Sequence, residues 1–599
     1  MSFRNIVRFI CVALIFSSVP PPVAAEDFTN AIHAFLQQRV EVEKRDVGMV
    51  VGIVDEHGSS IVSCGKMDNG TGQEVNGDTL FGIYSITCTF TGLLLQDMIE
   101  RGEMKLDDPV AKYLPKSVKM PTYNGKEITL RHLVAETSGL GPPISNLNPK
   151  RADNPYADFT VEKMYALLSG SKLTCDPGAK YQHGGVQMGL LGHVIALKAG
   201  TNYESLVVDR ICRPLRMDST RFTLTPELRS RFATGHNQLG YAVPTADWGA
   251  LTPLGGLRST ANDLLKFISA NLGLTPSSLT PLMEKNAVTM DCAPQGGGPV
   301  FVVTKSRTVY FSGGGCAFTG FDKARRRGVV VLSNSWGAMD VYAIGKFLLE
   351  SEWRSDRRPT ETKVSSQVYG SSVGQYRPTS DAAPRRLKLW PLSHHEDGTT
   401  SQSGIGIRCE GDRLFAQATG SGSWPVDVLL PPIAGELLPE SETRFFERLS
   451  GMPVTFSRDD RGRVTGVTAH YLGNAFSYEK ISDQPPKVFE PPKPRVATKL
   501  DAKFLDACVG HYEFAPDTVS PTGVKLTIWR EGDQLVGQAW GKNVLQGAVD
   551  MYPESETNFF LKIDGAQLTF IKNETGEVTA VIHHQAGYPD SEGKKVNNQ

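Results

Sequence analysis

Apolar positions along this chain follow two different periods. Leu93, Leu94, Met98 and Ile99 recur at helical spacing after Phe81-Gly82-Ile83-Tyr84-Ser85-Ile86-Thr87-Cys88-Thr89-Phe90. The turn-rich Asn76-Gly77-Asp78 comes first, so a helix is predicted to begin at Ser85. Met188 to Ile195 reads as a second apolar helix. Val47–Val54 is a β-rich run closed by Asp55-Glu56-His57-Gly58 and followed by Ile61-Val62, which predicts a hairpin. Gly328–Ser335 predicts a buried strand. From about residue 355 Ser, Pro and charge increase, and β-type alternation takes over.

This second half repeats itself. Glu410-Gly411-Asp412-Arg413-Leu414-Phe415 returns as Glu531-Gly532-Asp533-Gln534-Leu535-Val536, and Pro439-Glu440-Ser441-Glu442-Thr443 returns as Pro553-Glu554-Ser555-Glu556-Thr557. Val464-Thr465-Gly466-Val467 returns as Val578-Thr579-Ala580-Val581, and Val373-Gly374-Gln375-Tyr376 pairs with Val509-Gly510-His511-Tyr512. Each copy carries several short strands punctuated by turns, the pattern of a small barrel. Between them Asp483-Gln484-Pro485-Pro486 to Pro491-Pro492-Lys493-Pro494 forms a stiff linker.

Composition narrows the function class mainly by exclusion. The 599 residues are 40% hydrophobic and 21% charged with a net charge of -1, so neither nucleic acid nor an anionic membrane is an expected partner. Arg4 and Arg8, the apolar Phe9–Phe16 and the small residues Val23-Ala24-Ala25 predict a secretory signal peptide over residues 1–25. No later run of ~18 apolar residues follows, so no integral membrane segment is expected after its removal, and a secreted or periplasmic address is. Cys11 goes with the signal; the other eight cysteines are irregularly spaced without Cys-x-x-Cys, so most should be free. His394-His395 and His583-His584 lack a third ligand at metal spacing, and no metal or cofactor is expected.

Ser85 is the chemical candidate. At a helix start its hydroxyl meets unpaired N–H groups and the positive end of the dipole. Read alone it is also an ordinary N-cap. Cys88 stands one turn further on the same face.

The wider stretch, Phe81 to Leu114 with Asp107-Asp108-Pro109, resembles the serine β-lactamase and penicillin-binding protein superfamily. It looks closest to the branch with D-Ala-D-Ala carboxypeptidases, D-aminopeptidases and esterases. That family reads Ser-x-x-Lys-x-Phe-Thr, a Leu-rich helix, then Leu-x-Asp-Pro. Here Cys88 replaces Lys. Tyr181-Gln182-His183 before an apolar helix resembles the family's Tyr-x-Asn, with His183 at the Asn position. Glu136-Thr137-Ser138-Gly139-Leu140 resembles its His-Thr-Ser-Gly-Leu and is read locally as a helix stop. The third element, Lys-Thr-Gly or His-x-Gly, should precede Gly328; Gly313 and Gly314 remain there for substrate binding, while no basic residue stands at Thr308 or Phe311 and Lys305 lacks a following Gly.

The resemblance implies an α+β β-lactamase-like domain, with an antiparallel sheet flanked by helices plus a helical part, over residues 26–355. Two lipocalin-like, all-β barrel domains over 365–482 and 497–599 follow. It implies catalytic roles for Ser85, Tyr181, His183 and the Cys88 position, with Ser85 and Tyr181 facing one cleft. In the family Ser forms an acyl-enzyme, Lys takes its proton, Tyr relays a proton, and backbone N–H groups hold the oxyanion. Cys88 cannot copy Lys, since it is shorter and has a reference pKa of ~8.5 against ~10.4. His183, with a reference pKa of ~6.5, is the candidate replacement base. Two readings stay open. One is an exported serine hydrolase acting on a small-molecule or peptide substrate such as a D-amino-acid peptide, cell-wall fragment, β-lactam or ester. The other is an inactive homologue that binds cell-wall or peptide ligands. The sequence leaves the oligomeric state open.

Overall fold

The computed structural model describes residues 23–599 apart from 43, 69, 142–143, 183, 238, 290–301, 304–307, 337–339, 351–360, 380–403, 420–434, 449–451, 472–473, 487–493, 517–521, 542–546, 586–589 and 597–599. The signal segment, Lys305, His394-His395 and His183 therefore lie largely or wholly outside the described residues.

The hairpin read from Val47 to Val62 forms as β1 (Gly48–Asp55) and β2 (Gly58–Gly65), paired from Gly48↔Gly65 to Asp55↔Gly58. Four later strands complete an antiparallel sheet: β3 (Val302–Val303), β4 (Thr308–Gly313), β5 (Ala317–Asp322) and β6 (Arg327–Ser333). Their order is β2-β1-β6-β5-β4-β3. β1 and β6 are buried along their whole length because both faces are covered. Alternate residues serve opposite sides. Met49, Val51, Ile53, Val329 and Val331 pack on α1 (Val23–Gln37) and on a C-terminal helix, Asp340–Glu350. Val50, Val54, Val330 and Leu332 pack with Leu264 and Ile268 of the helix Ala261–Asn271 into the larger core. That core also holds α2 (Thr87–Glu100), of which Cys88 to Met98 is entirely buried, and the helix Gly185–Ala199.

The repeated half folds into two closed antiparallel barrels of eight strands each. One runs from Gly374 to Ser482 and the other from Gly510 to Val596. The repeated Glu-Gly-Asp-x tetrapeptides are the tight turns between the second and third strands, with Gly411 and Gly532 both at φ 61. That left-handed conformation favours glycine. Each barrel is plugged by a short helix, Ser366–Ser372 or Ala502–Cys508. Tyr376 donates to the Ser372 carbonyl and Tyr512 to the Cys508 carbonyl, both over 2.7 Å. Phe445 and Phe456 meet edge to face at 5.3 Å in the first core, as Phe559 and Phe570 do in the second. Aromatic side chains thus fill both interiors.

The second barrel is docked on the first domain. Ala152 N–H donates to the Ala548 carbonyl and Ala548 N–H to the Lys150 carbonyl, while Arg151 pairs with Asp550 at 2.9 Å. Asn237 donates to the Lys562 carbonyl, and Tyr241 stacks on Phe560 at 6.0 Å.

Candidate active site

Ser85 stands in a single 3-10 turn, Tyr84–Ile86, that leads into α2. It is half-buried, and among the described residues its hydroxyl makes no hydrogen bond. The residue before it is forced: Tyr84 has φ 46, a left-handed value that costs a bulky side chain on the order of 1 kcal/mol or more. Packing holds it there. The Tyr84 ring stacks on Trp336 and meets Trp248 edge-on, each at 6.3 Å.

One face of α2 is sewn to residues 253–257. Thr91 Oγ1 donates to the Pro253 carbonyl, Cys88 Sγ to the Leu254 carbonyl at 3.3 Å, and Leu257 N–H to Thr87 Oγ1. Ile83 N–H donates to the Leu257 carbonyl, which anchors the turn carrying Ser85. Cys88 is 1% exposed. Burial pushes its thiol well above the ordinary value and the negative charge of Glu136 pushes it further, so the group is neutral and is a donor rather than a base.

The third element closes against this turn. A Cβ on Gly313 would stand 2.1 Å from the Ile83 carbonyl oxygen, and one on Gly314 2.8 Å from the Tyr84 ring. Gly314 also has φ 57. Glycines are needed here because β4 lies flush on the backbone before Ser85, which spacing alone does not reveal.

Tyr181 belongs to the loop before the helix Gly185–Ala199 and donates its hydroxyl proton to Glu136 Oε2 over 2.8 Å. Glu136 is 4% exposed and has φ 53. Glu136 and Tyr181 are thus paired, and the charge of Glu136 is also felt at Cys88. Glu136 carries no mark in the sequence beyond standing where the resembled family has His. His183, two residues from Tyr181, lies outside the described residues.

A cavity of ≈ 50 Å³ lies on the Tyr84 side, walled by Trp248, Arg258, Cys316, Asn334 and Trp336 among others. Neither Ser85 nor Tyr181 lines it. Arg258 is occupied there by the carbonyls of Phe222, Gly256 and Ala246, so it braces the wall. Among the described residues no group of His, Cys, Asp and Glu could hold a metal ion, and no helix is long and apolar enough to cross a membrane. The cysteines at 64, 88, 175, 212, 316, 409 and 508 are free.

The family model described as Beta-lactamase matches residues 32–349. Among curated proteins, the chain is similar to a Beta-lactamase of Escherichia coli K12, at 27% identity over 263 residues, 44% of this chain and 66% of that protein. It is also 27% identical over 251 residues to the D-alanyl-D-alanine-carboxypeptidase/endopeptidase AmpH of the same strain, covering 42% and 64%. The matches span less than two thirds of those relatives' length. A solved Beta-lactamase/D-alanine Carboxypeptidase from Yersinia pestis, complexed with citrate, aligns over 54% of this chain and 97% of its own at 23% identity, with a TM-score of 0.46.

Proposed function

Because the chain belongs to the Beta-lactamase family, we propose that it is an exported serine hydrolase working through an acyl-Ser85 intermediate. Its substrates would be D-amino-acid peptides, cell-wall fragments, β-lactams or esters. The observation that carries this reading is the Ser85 hydroxyl, unengaged among the described residues and held at the head of a buried helix by the Ile83–Leu257 hydrogen bond. In this mechanism Ser85 Oγ attacks the carbonyl carbon, and the carbonyl electrons move onto oxygen. The Ser85 N–H and a backbone N–H beside Gly313 and Gly314 receive that oxyanion. Tyr181 relays the proton, and His183 is the candidate base in place of the family's Lys. Water then releases the acyl group.

A fluorophosphonate probe and chromogenic ester and cephalosporin substrates test the proposal. One adduct mapped to Ser85, with labelling and turnover abolished in Ser85→Ala, is the expected result. Absence of both in the folded wild-type protein overturns it. Export is tested by sequencing the mature N-terminus, expected at Glu26.

Cys88 favours a second reading. A buried, neutral thiol stands where the family keeps Lys, so the inherited proton acceptor is missing. An inactive homologue that binds cell-wall or peptide ligands fits that loss. Calorimetric binding of muropeptide fragments without turnover would select it.

A further inference from the structure

A short hairpin runs from the second barrel to the neighbourhood of the Ser85 turn. Its strands, Gly235–His236 and Ala242–Val243, pair as Gly235↔Val243 and His236↔Ala242. Its tip is seated on the barrel and on the linker before it. Tyr241 stacks on Phe560 at 6.0 Å, with Lys562 Nζ 5.7 Å from the centre of the Tyr241 ring. Tyr241 Oη accepts from Arg495 N–H at 2.7 Å, and Asn237 donates to the Lys562 carbonyl. Leu239 lies against Gly565, where a Cβ would meet it at 3.0 Å. Within the tip, Asn237 Oδ1 accepts from Leu239 N–H and Tyr241 N–H, so these contacts hold one unit.

The base of the hairpin is bonded to the segment after β6. His236 N–H donates to the Asn334 carbonyl at 2.7 Å, and Trp336 N–H donates back to the His236 carbonyl. His236 Nε2 lies 2.7 Å from Asp68 Oδ2, which fixes the buried ring. Trp336 in turn lays its own ring on Tyr84, at 6.3 Å and within 11° of parallel. Tyr84 is the residue held at φ 46 immediately before Ser85. Such a conformation persists where the surroundings over-determine it. Two tryptophans help to do so here, and they are held from different places. Trp248 is stacked on Tyr156 at 5.3 Å, within the first domain. Trp336 is 51% exposed, so burial alone does not fix it. It is tied instead to His236, on the hairpin that the second barrel seats.

We propose that the second barrel positions the turn that carries Ser85, acting through the hairpin and Trp336. The consequence for catalysis rests on the reading of Ser85 as nucleophile. Each link is a hydrogen bond, a ring contact or a peptide bond: the barrel to Asn237 and Tyr241, His236 to Trp336, Trp336 to Tyr84, and Tyr84 to Ser85. Packed side chains and hydrogen bonds of this kind carry coupling between distant places. With the hairpin seated, Trp336 stays over Tyr84 and the left-handed turn is favoured. With the hairpin released, Trp336 leaves Tyr84, which relaxes toward an ordinary φ and re-aims the Ser85 N–H and hydroxyl. Asn237, Tyr241 and Trp336 are therefore positioning residues for Ser85, two of them seated on a different domain.

The test uses the full-length mature protein and two readouts. One is the second-order rate of fluorophosphonate labelling of Ser85; the other is hydrogen exchange in peptides covering residues 81–90. Trp336→Ala removes the ring, and because that ring is half-exposed its loss leaves the core intact. Tyr241→Ala releases the hairpin tip. Trp336→Ala should label about 10-fold or more slowly, and Tyr241→Ala about 3- to 10-fold more slowly, with faster exchange at 81–90 in both. Trp336→Phe, which keeps a ring over Tyr84, should recover most of the rate. The double variant should be no slower than Trp336→Ala, since both act on one path. Asp550→Ala loosens the same barrel at its other seat, Arg151, and should leave both readouts at wild-type values. Wild-type rate and exchange in a folded Tyr241→Ala overturn the proposal, as does equal slowing by Asp550→Ala. If Tyr241→Ala does not fold, wild-type values in Trp336→Ala overturn it instead. No labelling of wild type removes the reading of Ser85 as nucleophile, and exchange at 81–90 in Tyr241→Ala then still decides whether the barrel holds the turn.

Discussion

Cys88 Sγ lies 3.3 Å from the Leu254 carbonyl oxygen, within the seam that ties α2 to residues 253–257. The residue at the family's lysine position is therefore a packed thiol donor.

We expect Cys88→Ser, which keeps a donor, to change stability by less than about 1 kcal/mol, and Cys88→Ala to cost about 1–2 kcal/mol. Cys88→Lys places an ammonium where the side chain is 1% exposed and Glu136 is its electrostatic neighbour. It should stay protonated and give no gain in fluorophosphonate labelling. Adding Glu136→His to that variant should raise labelling above it. Urea denaturation and labelling kinetics measure both effects.

Gly313→Ala should cost on the order of 3 kcal/mol, because the new Cβ meets the backbone oxygen of Ile83, which cannot move without shifting the Ser85 turn. Labelling of Ser85 should fall with it. Gly314→Ala meets the Tyr84 ring instead. Its cost should shrink in a Tyr84→Gly background, where the ring is gone, and a double-mutant cycle reads that coupling. Additive losses would show that the φ 57 backbone at Gly314, and not the ring, sets its cost.

Asp108 gives a pH dependence with a definite sign. Hydrogen bonds from Tyr113 and then Lys112 hold its carboxyl down at about 2. A depressed carboxyl stabilises the fold above its unfolded value of ~3.9, and the contribution is lost as pH falls toward 2. After allowance for solvent screening we expect Asp108→Asn to cost about 1 kcal/mol at pH 7. In urea titrations at pH 7, 4 and 3 the gap between variant and wild type should narrow as pH falls.

The second barrel grips loops 150–152 and 237–241, and the cavity wall at Val243 to Ala246 continues from the latter. Truncation after Ser482 should therefore speed hydrogen exchange and proteolysis at both loops, with smaller changes in β1 and β6. Asp550→Ala alone should cost under about 1 kcal/mol, since the Arg151 and Asp550 side chains are 35% and 31% exposed.

The sequence by itself determined the elements and their family. The near-continuous apolar runs in Val47–Val54 and Gly328–Ser335 read as strands, and the structure joins them as neighbours β1 and β6. The repeated Glu-Gly-Asp-x turns announced two like modules, since a left-handed turn needs its glycine in both copies. Ser85 was legible because motif and helix start coincide within a few residues. The identities of Cys88, Gly313 and Gly314 were also legible, but what they touch was not. Only the tertiary structure decided that Cys88 faces Leu254 and that Gly313 lies on Ile83. It alone joined Glu136 to Tyr181, 45 residues apart. The physical reason is that a motif records local spacing, whereas a buried carboxylate's role is set by which hydroxyl and which charges the packing brings within a few ångströms of it.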